Sequence, residues 1–142
     1  MSKLQAEGMG DFTPRAALVD GWYGAQVIDA KGYQKNGRSS LILQLAVIGG
    51  PEQPDGNPSE GRKLSDFIAL NGYAQMADGG EFVKTKLHKA AKFSGVEIDS
   101  AGGFDPDDFI GAQLDIRVRQ DVDPQTGEAR EQIVGYRPLS EN

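Results

Sequence analysis

The sequence predicts a small, mostly β domain, all-β to α+β in class, with five strands and one helix between the third and fourth. Three observations carry this expectation. Ser39–Gly50, SSLILQLAVIGG, places Leu41, Leu43, Leu45 and Val47 on one parity and Ile42, Gln44, Ala46 and Ile48 on the other. That is the pattern of a strand with one apolar face and one mixed face. Gly111–Gln120, GAQLDIRVRQ, alternates more cleanly, setting Leu114, Ile116 and Val118 against Asp115, Arg117 and Arg119. Glu81–Ser94 is the one segment with a helical stripe, in which Val83, Leu87, Ala90 and Ala91 recur at three- and four-residue spacing.

The remaining elements follow in chain order. Residues 1–19 are polar, with Gly8, Gly10 and Pro14, and read as an amino-terminal arm. Gly21–Ala30, GWYGAQVIDA, is the first strand, and its glycines imply a bend or a close approach. Lys31–Ser40, KGYQKNGRSS, is expected as a connection turning at Asn36-Gly37. The central strand then returns antiparallel. Gly49–Gly61 is nearly all turn formers and reads as a long exposed loop. Arg62–Leu70 is the third strand, with Leu64, Ile68 and Leu70 opposite Lys63, Ser65 and Phe67; Asp66 falls on the apolar side, against the pattern. The helix stops at Gly95, and a polar loop, Asp99–Phe109, leads to the fourth strand. Asp121–Gly127 turns into the fifth strand, Glu128–Arg137, and residues 139–142 form a short tail. Strand, strand, strand, helix, strand, strand is the element order of an OB-like five-stranded Greek-key barrel, here spanning residues 20–138.

Several functions find no support in the residues. The chain has no cysteine, so disulfides and thiolate metal sites are unavailable to it, which suits a reducing cytoplasm. Residues 1–20 lack the basic and apolar regions of a signal peptide, and no apolar run approaches the ~18 residues of a membrane span. His88 is the single histidine, set among lysines, with nothing to support a nucleophile–base pair. Asp121 and Asp123 do not open a calcium loop, because Thr126 stands where glycine is needed and Gln132 where glutamate is needed. Asp105, Asp107 and Asp108 read as turn and cap residues, and Gly49–Gly61 lacks the Gly-Lys-Ser/Thr ending of a phosphate loop. The expectation is a protein without catalysis, metal or cofactor.

Charge is unevenly spread. The net charge is −6, yet Lys31–Lys92 carries nine basic against six acidic residues, while Glu97–Asp115 has six acids and no base. A basic centre between acidic flanks permits a local anion-binding surface.

The segments GWYGAQVIDA with its following basic turn, LILQLAV before a Gly-rich loop, and KLHKAAKFSGV stand in a suggestive order. DPDDFIGAQLDIRV, the DPQTGE turn and IVGYRP complete it. Together they resemble the phage-encoded single-stranded-DNA-binding proteins of OB-type fold, over roughly residues 20–138. The resemblance implies stoichiometric or cooperative coating of single-stranded DNA in phage replication or recombination, in the host cytoplasm and beside other proteins of those processes. One departure concerns the acidic carboxy-terminal tail of many such proteins. This chain ends RPLSEN, with Glu141 as its one acid, which puts tail-mediated recruitment in doubt.

Binding a single strand calls for cations along a groove and aromatic faces on which bases stack. Lys31, Tyr33, Lys35 and Arg38 share an acid-free connection between the first two strands. Lys63 and Phe67 share one side of the third strand, and Arg117 and Arg119 one side of the fourth, where Asp115 competes as an ion-pair partner. Trp22, Tyr73 and Tyr136 are further candidates, each also suited to a core. Two other readings stay open: a protein-interaction or virion structural module on a β-barrel, and an acidic DNA mimic. Oligomeric state is open, a dimer included.

Overall fold

The computed structural model describes residues 3–10 and 16–140. Parts of the predicted arm (1, 2 and 11–15) and Glu141 of the tail lie outside the described residues. Five strands, β1 (Gly21–Lys35), β2 (Arg38–Gly49), β3 (Lys63–Ala69), β4 (Gln113–Val122) and β5 (Ala129–Pro138), and the helix α1 (Glu81–Ser94) make a mostly β protein. The strands form one antiparallel sheet in the order β3-β2-β1-β4-β5.

Alternation decides which face is inside. Leu41, Leu43, Leu45 and Val47 of β2 are buried with Tyr23, Ala25 and Val27 of β1 and with Leu114, Ile116 and Val118 of β4. Enclosing side chains of this size stabilises by about 1.5–3 kcal/mol each. Helix α1 adds Leu87, Ala90 and Ala91 to the same core. Asp78 starts the helix by accepting hydrogen bonds from the backbone N–H groups of Phe82 and Gly80, which hold its carboxyl below the usual range. Gly95 ends it in a left-handed cap.

The expected connection Lys31–Ser40 is instead strand. β1 and β2 run out to a two-residue turn in which Asn36 (φ 53) and Gly37 (φ 77) both take left-handed backbone, the geometry that matches strand twist. The distal hairpin shows no apolar alternation because solvent reaches most of it; backbone pairing, not burial, makes it a strand. Two register breaks interrupt the pairing of β1 with β2. In one, Val27 pairs with Leu45 and Asp29 with Gln44, which leaves Ile28 as an extra residue. A bulge of this kind switches the parity beyond it. Trp22, Gly24 and Gln26 face away from the core before the bulge, and Lys31, Tyr33 and Lys35 face away after it.

β3 and β5 are the two edges of the sheet, and side chains join them where no ladder does among the described residues. Arg62, just before β3, pairs with Glu131 at 2.7 Å; Asp66 accepts from the Tyr136 hydroxyl at 2.7 Å. The contacts advance in the same direction along both edges, so β3 and β5 lie side by side and parallel. Asp66 is thus buried by design of the pattern rather than against it. Its other oxygen accepts from Lys86 of α1 at 2.9 Å, and Lys86 also donates to the Ile133 carbonyl.

The end of the arm is fastened to the same seam. Leu18 is buried, its N–H donates to Glu131, and the Gln120 amide donates to the Ala17 and Leu18 carbonyls. The long loop after β2 is only partly exposed. Gln53 is buried within it, donating to the Tyr23 hydroxyl and accepting from the Val19 N–H. Gly50 lies flat against the Tyr23 ring, where any β-carbon would collide with it.

Candidate nucleic-acid interface

The site residues come together through sheet register. On the outer face, Lys35 stands opposite Arg38 across the hairpin, and Tyr33 opposite Ser40. The next row runs Lys31, Ile42, Phe67 across β1, β2 and β3. Farther along, Gln26 is followed by Ala46 and Lys63, and at the other end Trp22 pairs with Arg117. With strands about 4.8 Å apart, Lys31 and Phe67 lie about 10 Å from each other over a floor formed by Ile42. All eight principal candidates, Lys31, Tyr33, Lys35, Arg38, Lys63, Phe67, Arg117 and Arg119, therefore share one face of one sheet.

Two rings on that face are open. Tyr33 is 48% exposed and Phe67 66% exposed, an unusual position for a phenylalanine in mid-strand. The cations are open as well. Among the described residues, none of Lys31, Lys35, Arg38, Lys63, Arg117 and Arg119 makes an ion pair. Asp115, the competitor expected for Arg117 and Arg119, is instead occupied by Arg137 (Nε to Oδ2, 2.9 Å) and the Ser140 hydroxyl (2.6 Å). Burial alone would raise the Asp115 pKa; these hydrogen bonds outweigh it and hold the carboxyl below its ordinary value. Asp29 is the other acid between the two ends of this face, and it accepts from the Ala30 N–H.

The further candidates divide. Trp22 belongs to the face, half-buried, with the Arg137 guanidinium 4.2 Å above its ring. Tyr73 does not. It sits past β3 in a one-turn helix, Tyr73–Gln75, walled by Gly80, with Lys84 over its ring at 5.5 Å and its hydroxyl on the Ala69 carbonyl. Tyr136 is 2% exposed and belongs to the core seam with Asp66, which withdraws its ring from any surface a ligand could touch. Its pKa is raised well above the tyrosine norm, first by burial and then by the Asp66 charge.

Arg137 is the residue that sequence reasoning missed. Its neighbour Tyr136 points inward, so the parity of IVGYRP puts Arg137 outward; only the β4–β5 register, Asp115 opposite Arg137, brings it beside Trp22. Leu139 then crosses the face over Gly24, where an added β-carbon would stand 3.3 Å from its Cδ1. The arrangement offers fixed positive charge and flat apolar surface, which suits binding an anionic chain with planar groups. No protein-family model matches this chain, and no curated protein does. Among the described residues, no helix is long and apolar enough to cross a membrane.

Proposed function

We propose that this protein binds single-stranded DNA without sequence preference, as a phage-type single-stranded-DNA-binding protein built on an OB-like Greek-key barrel. The observation that carries the reading is the gathering, on one sheet face of a protein whose net charge is −6, of two exposed rings and six cations that make no ion pair among the described residues. Phosphates would meet the lysines and arginines, and bases would stack on Tyr33 and Phe67. The barrel reading is supported by the parallel approach of the β3 and β5 edges and by the single helix between β3 and β4. It is also supported by the location of the site, since OB-folds bind oligonucleotides on the strand 2–3 face and the loop joining strands 1 and 2. In this reading the protein protects single strands and removes hairpins during replication or recombination in the host cytoplasm, with no chemistry and no cofactor.

The test is fluorescence anisotropy with labelled oligo-dT and a matched duplex at low salt. Binding of oligo-dT at micromolar protein or below, with duplex bound more weakly, is expected. Absence of oligo-dT binding at that concentration would sink the proposal.

A further inference from the structure

We infer that the outer face holds two separate subsites, and that full affinity requires one strand long enough to occupy both. The inference rests on the single-strand-binding reading and concerns how that face is divided. The first subsite is the hairpin end, where Lys31, Tyr33, Lys35 and Arg38 cluster around the two-residue turn and Phe67 adds a second ring. The second is the β4 end, where Trp22 stands opposite Arg117, Arg119 follows on the same side of β4, and Arg137 lies over the indole. A guanidinium stacked on an aromatic ring leaves its own free side open to a base.

Between them the face changes character. From Trp22 to Lys31, β1 presents Gly24, Gln26 and Asp29 outward, and β2 presents Gln44 and Ala46 beside them. No cation and no ring lies on that stretch of β1 or β2, and Asp29 repels phosphate. Among the described residues, Lys63 on the β3 edge is the cation level with Gln26, and Arg137, through Asp115, is level with Gly24 at the Trp22 end. Eleven residues separate Trp22 from Tyr33, about 36 Å of extended strand before the bulges and twist shorten it. At about 3.4 Å per stacked nucleotide, roughly ten nucleotides cover that distance, and fewer if the strand is drawn out. A strand held at both ends binds the second subsite at high effective concentration, whereas one too short to reach gains nothing. Affinity should therefore rise with length as a step.

The experiment measures Kd for a series of labelled oligo-dT from about 4 to about 20 nucleotides, for the natural protein and for the double variant Arg117→Ala/Arg119→Ala. Both arginines are exposed, and equal melting temperatures check that the variant stays folded. The expected result is weak binding of the shortest oligomers and a rise of about tenfold or more over a narrow length interval. Beyond it, only the slow growth with the number of binding registers should remain. The double variant should lose the step, its affinity for long oligomers falling to that of the shortest ones, which still bind at the hairpin end. A smooth rise without a step, or an equal loss at every length in the variant, overturns the two-subsite arrangement while leaving single-strand binding intact. No binding at any length contradicts the parent reading itself.

Discussion

Tyr33 and Phe67 contribute little to folding, because their rings stand in solvent, and this makes them clean probes of binding. Tyr33→Ala and Phe67→Ala should each weaken oligo-dT binding by about 1–3 kcal/mol, with melting temperatures nearly unchanged. Lys86 is the opposite case. Its ammonium is the charge partner of buried Asp66, and Lys86→Met would leave that carboxylate uncompensated. Denaturant unfolding should register a loss of about 3–5 kcal/mol. Asp115 gives a pH dependence of known sign. Its pKa is depressed in the folded state, so the stabilisation is complete above the unfolded value near 3.8 and is lost as pH falls through the lower folded value. Asp115→Asn should remove that part of the acid limb of a stability–pH profile. At this scale the sequence was legible where chemistry and parity agree, as for Lys63 and Phe67. It was misleading for Asp66, whose burial depends on a three-way contact with Lys86 and Tyr136, on a helix and a strand far apart in the chain.

Among the elements, the β1–β2 hairpin governs the site. Its pattern could be read as far as Ala30, because burial imposes alternation there and nothing imposes it on KGYQK. The Asn36-Gly37 turn was visible from its residue types, whereas the bulge at Ile28 was not, since an extra residue leaves no local signature in a strand already rich in glycine. Yet that extra residue puts Trp22 and Tyr33 on the same face. Deleting Ile28 should remove the extra residue and restore regular pairing, so that Asp29 follows Val27 directly and Lys31, Tyr33 and Lys35 still face outward. Oligo-dT affinity should then be largely kept, and a loss as large as in the triple alanine variant at Lys31, Tyr33 and Lys35 would contradict Ile28 as the extra residue. Circular dichroism would establish that strand content is kept. The fourth strand was legible in type and face, but its pairing was not, so Arg137 stayed hidden until register placed it over Trp22.

For the molecule as a whole, the order of elements was readable from the apolar alternation of β2 and β4, the apolar stripe of the helix and the turn residues between segments. The way the two sheet edges meet was not readable, since it rests on side-chain contacts such as Arg62 with Glu131. The net charge of −6 also misrepresents the surface a ligand would meet. Among the described residues, acids on the outer face are few and occupied, and its six cations without an ion pair set the local potential. The most direct measurement of this account is the salt dependence of oligo-dT binding. For single strands, log K falls against log salt with a slope of about −0.7 per phosphate neutralised, or about −4 if all six cations engage. The triple variant Lys31→Ala/Lys35→Ala/Arg38→Ala should be shallower by about 2 and weaker at low salt. An unchanged slope in that variant would contradict the claim that this face binds the strand.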